Sequence, residues 1–247
     1  MIIYFFKIQR RNKNKVKKCA SIISIILLVI IPLTVNAGDY TSSNPNKNSN
    51  YNRYRAKYYA ETYGPIFETP YGGTGSGTSG LYADKYYNFY DDGGNCTNFV
   101  SQVLKFGYMN YQGTNRDCYS SWFYNGTYPD YSSTWTHAHW FRRHWGNVNN
   151  VGSNRAYSYK VYTVAEALDN WTTILYDMWE GDIVQYAYPN GTTYHSQVIH
   201  DWEPGVLYYA QHSTNSGAFY ANANLKNYLL GIPSDYYFFT YQIKSGY

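Results

Sequence analysis

The order of elements in this 247-residue chain predicts an α+β fold. Three observations carry the prediction. Helical spacing of apolar residues fills the first half of the region that follows residue 50. β-Branched and aromatic runs fill its second half. The turns between those runs are of hairpin type, which makes the sheet antiparallel.

The chain begins with a segment read as lying outside the fold. Met1–Lys18 holds seven Lys or Arg and no acid, Ala20–Val35 is apolar, and Val35-Asn36-Ala37 offers small residues at a signal-peptidase site. The apolar run has 16 residues and contains Pro32, short of the roughly 20 that a spanning helix needs. Residues 1–37 are therefore expected to be a cleaved signal peptide, and the remainder to be secreted. Cys19 precedes the apolar run, which argues against a lipoprotein anchor. Residues 38–50, rich in Ser and Asn, are expected to be a disordered leader. One domain is expected over 51–243.

Within that domain the elements follow in order. Tyr51–Tyr63 reads as a helix capped by Ser49 or Asn50, with Tyr54, Tyr58 and Ala60 near helical spacing. Thr69–Gly80, rich in glycine, reads as a loop on the rim. A helix starts at Cys96, buries Phe99, Val100, Val103, Leu104 and Phe106, and stops at Gly107. Further helices are expected over Trp135–Trp145 and Val164–Trp171. Strands are expected over Asp182–Tyr188, Tyr194–Trp202, Val206–His212 and Tyr236–Ile243. Pro189-Asn190-Gly191-Thr192 and Glu203-Pro204-Gly205-Val206 supply the turns.

Charge excludes one class of function. Seven of the 20 basic residues lie in the leader segment, so the rest of the chain carries 13 against 16 acids, a net charge of −3. The chain-wide excess of base therefore gives no reason to expect nucleic-acid binding.

The chemistry concentrates in Asn95-Cys96-Thr97-Asn98-Phe99-Val100-Ser101-Gln102, preceded by Gly93-Gly94. A cysteine on the first helical turn meets free backbone N–H groups whose partial positive charge favours thiolate. Thiolate is the form that attacks carbonyl carbon. The competing reading is a Cys96–Cys118 disulfide, which secretion would permit.

A nucleophilic cysteine needs a base, and His137, His139, His144, His195, His200 and His212 are available. If Glu203 pairs with Val206 across the second turn, His195, Gln197 and His212 share one face, with His212 diagonal to His195. A one-residue bulge would separate them. Cys96, His195 and His212 are thus the candidate catalytic residues. Asn215 or Asp201 could replace His212 as the group that orients the base. The oxyanion site would pair the Cys96 N–H with another donor, for which Tyr86, Tyr87 and Tyr90 are candidates. His137, His139 and His144 lack metal-ligand spacing, and no HExxH occurs. No metal or cofactor is expected.

Arg53–Ala60, the Cys96 motif, Ser133-Thr134-Trp135, Gly181-Asp182-Ile183-Val184, His195-Ser196 and Gln211-His212-Ser213 occur in one order. Together they resemble the putative amidase domain family of secreted bacterial proteins, which is similar to papain-like cysteine amidases and peptidases of cell-wall peptides. The resemblance implies a papain-like cysteine-hydrolase fold, the nucleophile helix packed on an antiparallel β-sheet. It implies Cys96 as nucleophile, His195 as base and His212 as third polar residue. Asn95 stands where that family commonly has Asp. The expected activity is cysteine-dependent hydrolysis of an amide bond, through an acyl-enzyme, in a peptide such as that of peptidoglycan. The protein is expected to act as a monomer with no nucleic-acid partner, outside the cell or at the wall. Acyl transfer to an amine would use the same residues. The alternative is a non-catalytic wall- or glycan-binding module, for which the 33 Tyr would supply stacking faces.

Overall fold

The computed structural model describes residues 38–65, 86, 87, 89, 95–126, 129–146, 148, 152–212 and 220–247. Strand β1 is Tyr40–Thr41, helix α1 Arg53–Tyr63, and α2 Cys96–Phe106. The helix expected over Trp135–Trp145 divides into α3 (Ser133–Thr136) and α4 (Ala138–Trp145), because His137 is extended. Strand β2 is Ser158–Thr163. Helix α5 (Val164–Asp169) starts on a capping box between Thr163 and Glu166, and α6 (Trp171–Asp177) follows. The second half supplies β3 (Ile183–Ala187), β4 (Thr193–Glu203), β5 (Val206–Gln211), β6 (Tyr220–Asn224), α7 (Leu225–Leu230) and β7 (Tyr237–Gln242). The Gly-rich Thr69–Gly80 loop and Tyr90 lie outside the described residues.

The α+β expectation holds. All seven strands form one antiparallel sheet in the order β1-β2-β7-β3-β4-β5-β6. Side chains alternate along each strand, so each face carries its own core. Ile183, Val198, Ala210, Phe239 and Tyr241 pack with Tyr59 of α1 and Phe99 and Val103 of α2. Val184, Tyr186, Ile199, Tyr209 and Phe238 pack with α5, α6 and α7.

The leader expectation needs correction. Residues 38–50 are tied to the domain, not disordered. Tyr40 pairs with Tyr159, and its hydroxyl donates to the carbonyls of Ala156 and Trp145. Asn48 Nδ2 donates to the Ile243 and Arg155 carbonyls. Burying the Tyr40 ring against Tyr159 gives this polar segment an anchor that its composition does not announce.

Two polar ties position α1 over the sheet. Arg53 donates to the Asp182 carboxylate at 2.7 Å, both side chains almost fully buried, and to the Glu180, Lys244 and Gly246 carbonyls. Tyr51 donates to the Gly181 carbonyl at 2.7 Å. Gly181 has φ +84°, and a Cβ there would stand 2.5 Å from the Tyr51 hydroxyl, so the close approach requires glycine. On α2, Ser101 Oγ donates to the Trp135 carbonyl and accepts from Trp122 Nε1, fixing α2 against α3.

The β4–β5 register decides the site. Glu203↔Val206, Trp202↔Leu207 and Asp201↔Tyr208 pair as the turn dictates. The register then shifts between Ile199 and Asp201, leaving His200 as the extra residue, so Val198 faces Ala210.

Candidate active site

Cys96 is the first residue of α2, where backbone N–H groups have no carbonyl one turn back to accept them. It is a partly buried free thiol, so it is not bridged to Cys118. Asn95 and Asn98 hold the approach. Asn98 Nδ2 donates to Asn95 Oδ1 at 2.7 Å and to the Tyr87 carbonyl, and Asn98 Oδ1 accepts from Trp135 Nε1. Asn95 Oδ1 also accepts from the Phe89 N–H. Asn95 Oδ1 therefore works there as an acceptor.

His195 comes from β4 and lies close enough to the Cys96 sulfur for each group to shift the pKa of the other. Its Nε2 lies 2.6 Å from Gln211 Oε1 on β5. Gln197 Nε2 also donates to that oxygen, and Gln197 Oε1 accepts from the Tyr186 hydroxyl. Burial pushes the Tyr186 phenol well above its ordinary pKa, so it stays a donor. With every donor aimed at Gln211 Oε1, His195 carries its proton on Nε2.

His212 does not occupy the third position. The His200 bulge moves the register by one residue, so Gln211 takes the His195 face and His212 turns to the other. There it stacks on Phe99 of α2 at 4.1 Å and bonds the Tyr63 carbonyl through Nε2 at 2.7 Å. Asp201 is paired with Lys57 of α1 at 2.5 Å, and Asn215 lies outside the described residues.

Burial alone would push the Cys96 thiol up. The hydrogen bond and charge of His195 outweigh it, joined by the Thr97 hydroxyl and the Ser196 backbone N–H, and the thiol lies below its ordinary value. His195 mirrors this. Burial lowers it, the sulfur and Gln211 raise it more, and it lies above the usual histidine value. Opposite shifts in two coupled groups favour the charged pair over the neutral one.

A second chain of hydroxyls and amides ends at the sulfur. Tyr241 OH donates to Gln185 Oε1 at 2.6 Å, and Gln185 Nε2 donates to Ser196 Oγ at 2.8 Å. Ser196 Oγ lies 2.8 Å from Thr97 Oγ1, which lies 3.7 Å from Cys96 Sγ. Because Gln185 donates, Ser196 is free to donate onward, and Thr97 then points its proton at sulfur.

Tyr228 of α7 also faces this centre. Its ring is 6.3 Å from His195 and 5.2 Å from Tyr186. Burial, then the charge of Cys96, pushes its phenol up to about 12. Sequence reading missed Tyr228, Gln211 and Gln185. Their signal was register and long-range packing, not local motif. Tyr86 instead stacks on Trp135.

A family model described as a putative amidase domain matches residues 50–234. The chain belongs to this family. No curated protein and no solved structure matches it. The match spans α1 to α7 and so contains Cys96, His195 and Gln211 together. Membership in the amidase domain family points to a hydrolase of amide bonds. No group of three or more His, Cys, Asp or Glu side chains is gathered as a metal site among the described residues.

Proposed function

We propose that this member of the amidase domain family is a cysteine-dependent, papain-like hydrolase whose nucleophile is Cys96 and whose base is His195. The supporting observation is the mutual pKa shift of Cys96 and His195, with Gln211 Oε1 2.6 Å from His195 Nε2. The Cys96 sulfur attacks the amide carbonyl carbon, and the oxygen takes negative charge. The Cys96 backbone N–H and the Tyr228 hydroxyl are the donors for that oxygen. His195 gives its proton to the departing nitrogen, and the C–N bond breaks to leave a thioester. Water then loses a proton to His195 and attacks the thioester, which frees the acid and restores the thiol.

The substrate class we propose is a peptide of the bacterial cell wall, met after export directed by residues 1–37. The basic-then-apolar leader supports export. Incubation of the purified protein with peptidoglycan peptides, reading new amines, tests the reading. Cys96→Ala should abolish amine release. Release that survives this change removes Cys96 from the mechanism, and wall binding without release would favour the binding-module alternative.

A further inference from the structure

The end of α2 remote from Cys96 borders a second concavity, about 15 Å away at the rise of an α-helix. A cleft of about 510 Å³ is lined there by Asn50, Arg55, Lys105, Phe106, Tyr108 and Asn110. Its charge is of one sign. The Arg55 guanidinium lies 4.2 Å from the Phe106 ring and 4.5 Å from the Tyr108 ring, with Nε donating to the Phe106 carbonyl. Lys105 Nζ stands 4.1 Å from the Tyr111 ring. Arg155 is behind them, donating to the Asn110 carbonyl at 2.7 Å and stacked on Trp122 and Trp145.

None of Arg55, Lys105 and Arg155 makes an ion pair among the described residues. Arg155 NH1 is buried with no hydrogen-bond partner. Burial, then Arg155, holds the Lys105 ammonium below its ordinary pKa. The C-terminal end of the α2 dipole can compensate Lys105, but it does not account for three cations. Such a like-charged cleft focuses potential and attracts anions.

The backbone adds an independent sign. Tyr108 has φ +74° and is half exposed. A non-glycine residue in this region costs on the order of 1 kcal/mol, and such outliers gather at ligand clamps. Glycine would satisfy the backbone, so what this position adds is the ring displayed on the rim.

We propose that this cleft binds an anionic group carried on a sugar ring. The phosphate or carboxylate sits between Arg55 and Lys105, the ring lies on Tyr108, and the Asn50 and Asn110 amides meet its hydroxyls. The proposal is independent of amide hydrolysis, because binding is read without turnover. The test is calorimetric or NMR titration of the purified protein with inorganic phosphate, glucose and glucose 6-phosphate. Glucose 6-phosphate should bind about tenfold more tightly than either of the others. The double variant Arg55→Gln with Lys105→Gln should weaken it by about tenfold or more. Tyr108→Gly, which relieves the backbone, should reduce glucose 6-phosphate to the affinity of inorganic phosphate. Equal affinity for the two phosphates in the unaltered protein, undiminished binding in the double variant, or no binding of either anion would overturn the proposal.

Discussion

Gln211 Oε1 accepts a hydrogen bond from His195 Nε2 at 2.6 Å, while the neighbouring His212 lies on the opposite face of the sheet, stacked on Phe99. Adjacent residues thus divide two tasks, one polar and orienting, the other packing.

That division predicts different outcomes for the two. Gln211→Ala removes a buried acceptor from His195 and Gln197, a loss of about 1–3 kcal/mol. It should lower kcat by tenfold or so and move the pH profile of the reaction. His212→Ala should leave that profile unchanged and lower the melting temperature, through the lost stack and the lost bond to the Tyr63 carbonyl.

The shifts of Cys96 and His195 set a pH window. Cys96 lies below the ordinary thiol value and His195 above the ordinary histidine value, and both shifts favour the charged pair over the neutral one. Acidification protonates the sulfur, and reactivity falls. At high pH His195 loses the proton needed by the leaving nitrogen, so kcat/KM should be bell-shaped. Alkylation of Cys96 should be rapid at about pH 6, where ordinary thiols are inert. His195→Ala leaves burial dominant and should slow this alkylation by about tenfold or more. Thr97→Val removes one donor and should slow it less.

Tyr228→Phe deletes a hydroxyl and leaves the ring packing on Tyr186 and Tyr209. If that hydroxyl stabilises the developing oxyanion, kcat falls by about 100-fold with little change in KM. Cys96 alkylation should change little. Full activity in the variant would assign Tyr228 to packing alone.

Arg53→Met strands the Asp182 carboxylate, which also accepts from the Ile243 and Trp179 N–H groups. Breaking a fully buried pair from one side costs about 3–5 kcal/mol, so chemical denaturation should show a loss of that order. Replacing Asp182 with Asn in the same background should recover part of it.

How much of this was legible follows from where each signal lives. The α2 boundaries at Cys96 and Gly107 were readable because glycine and apolar spacing are local. The hairpin turns were readable for the same reason, since Gly191 and Gly205 take the positive φ that their sequences announce. Strand β2 was not read, because Lys160 interrupts the run and the segment is fixed by pairing with β7. The break at His137 was missed because the α3–α4 stretch has unbroken helical character. Turn counting placed Glu203 opposite Val206 correctly and failed three positions further along β4, at His200. A bulge is set by what packs beside the strand. His200 is fully buried and bonded to Glu61 of α1, a contact invisible along the chain.

Asp39 closes the outer edge of the sheet in a way that bears on solution behaviour. Strand β1 covers only the first part of β2, and the next outward-facing donor, the Val161 N–H, is taken by Asp39 Oδ1 at 2.7 Å. A carboxylate on an edge donor both occupies it and repels an incoming strand of like charge. Neutralising Asp39 would expose a template for intermolecular pairing. The residue just ahead of the first strand thereby acts as a gatekeeper against aggregation.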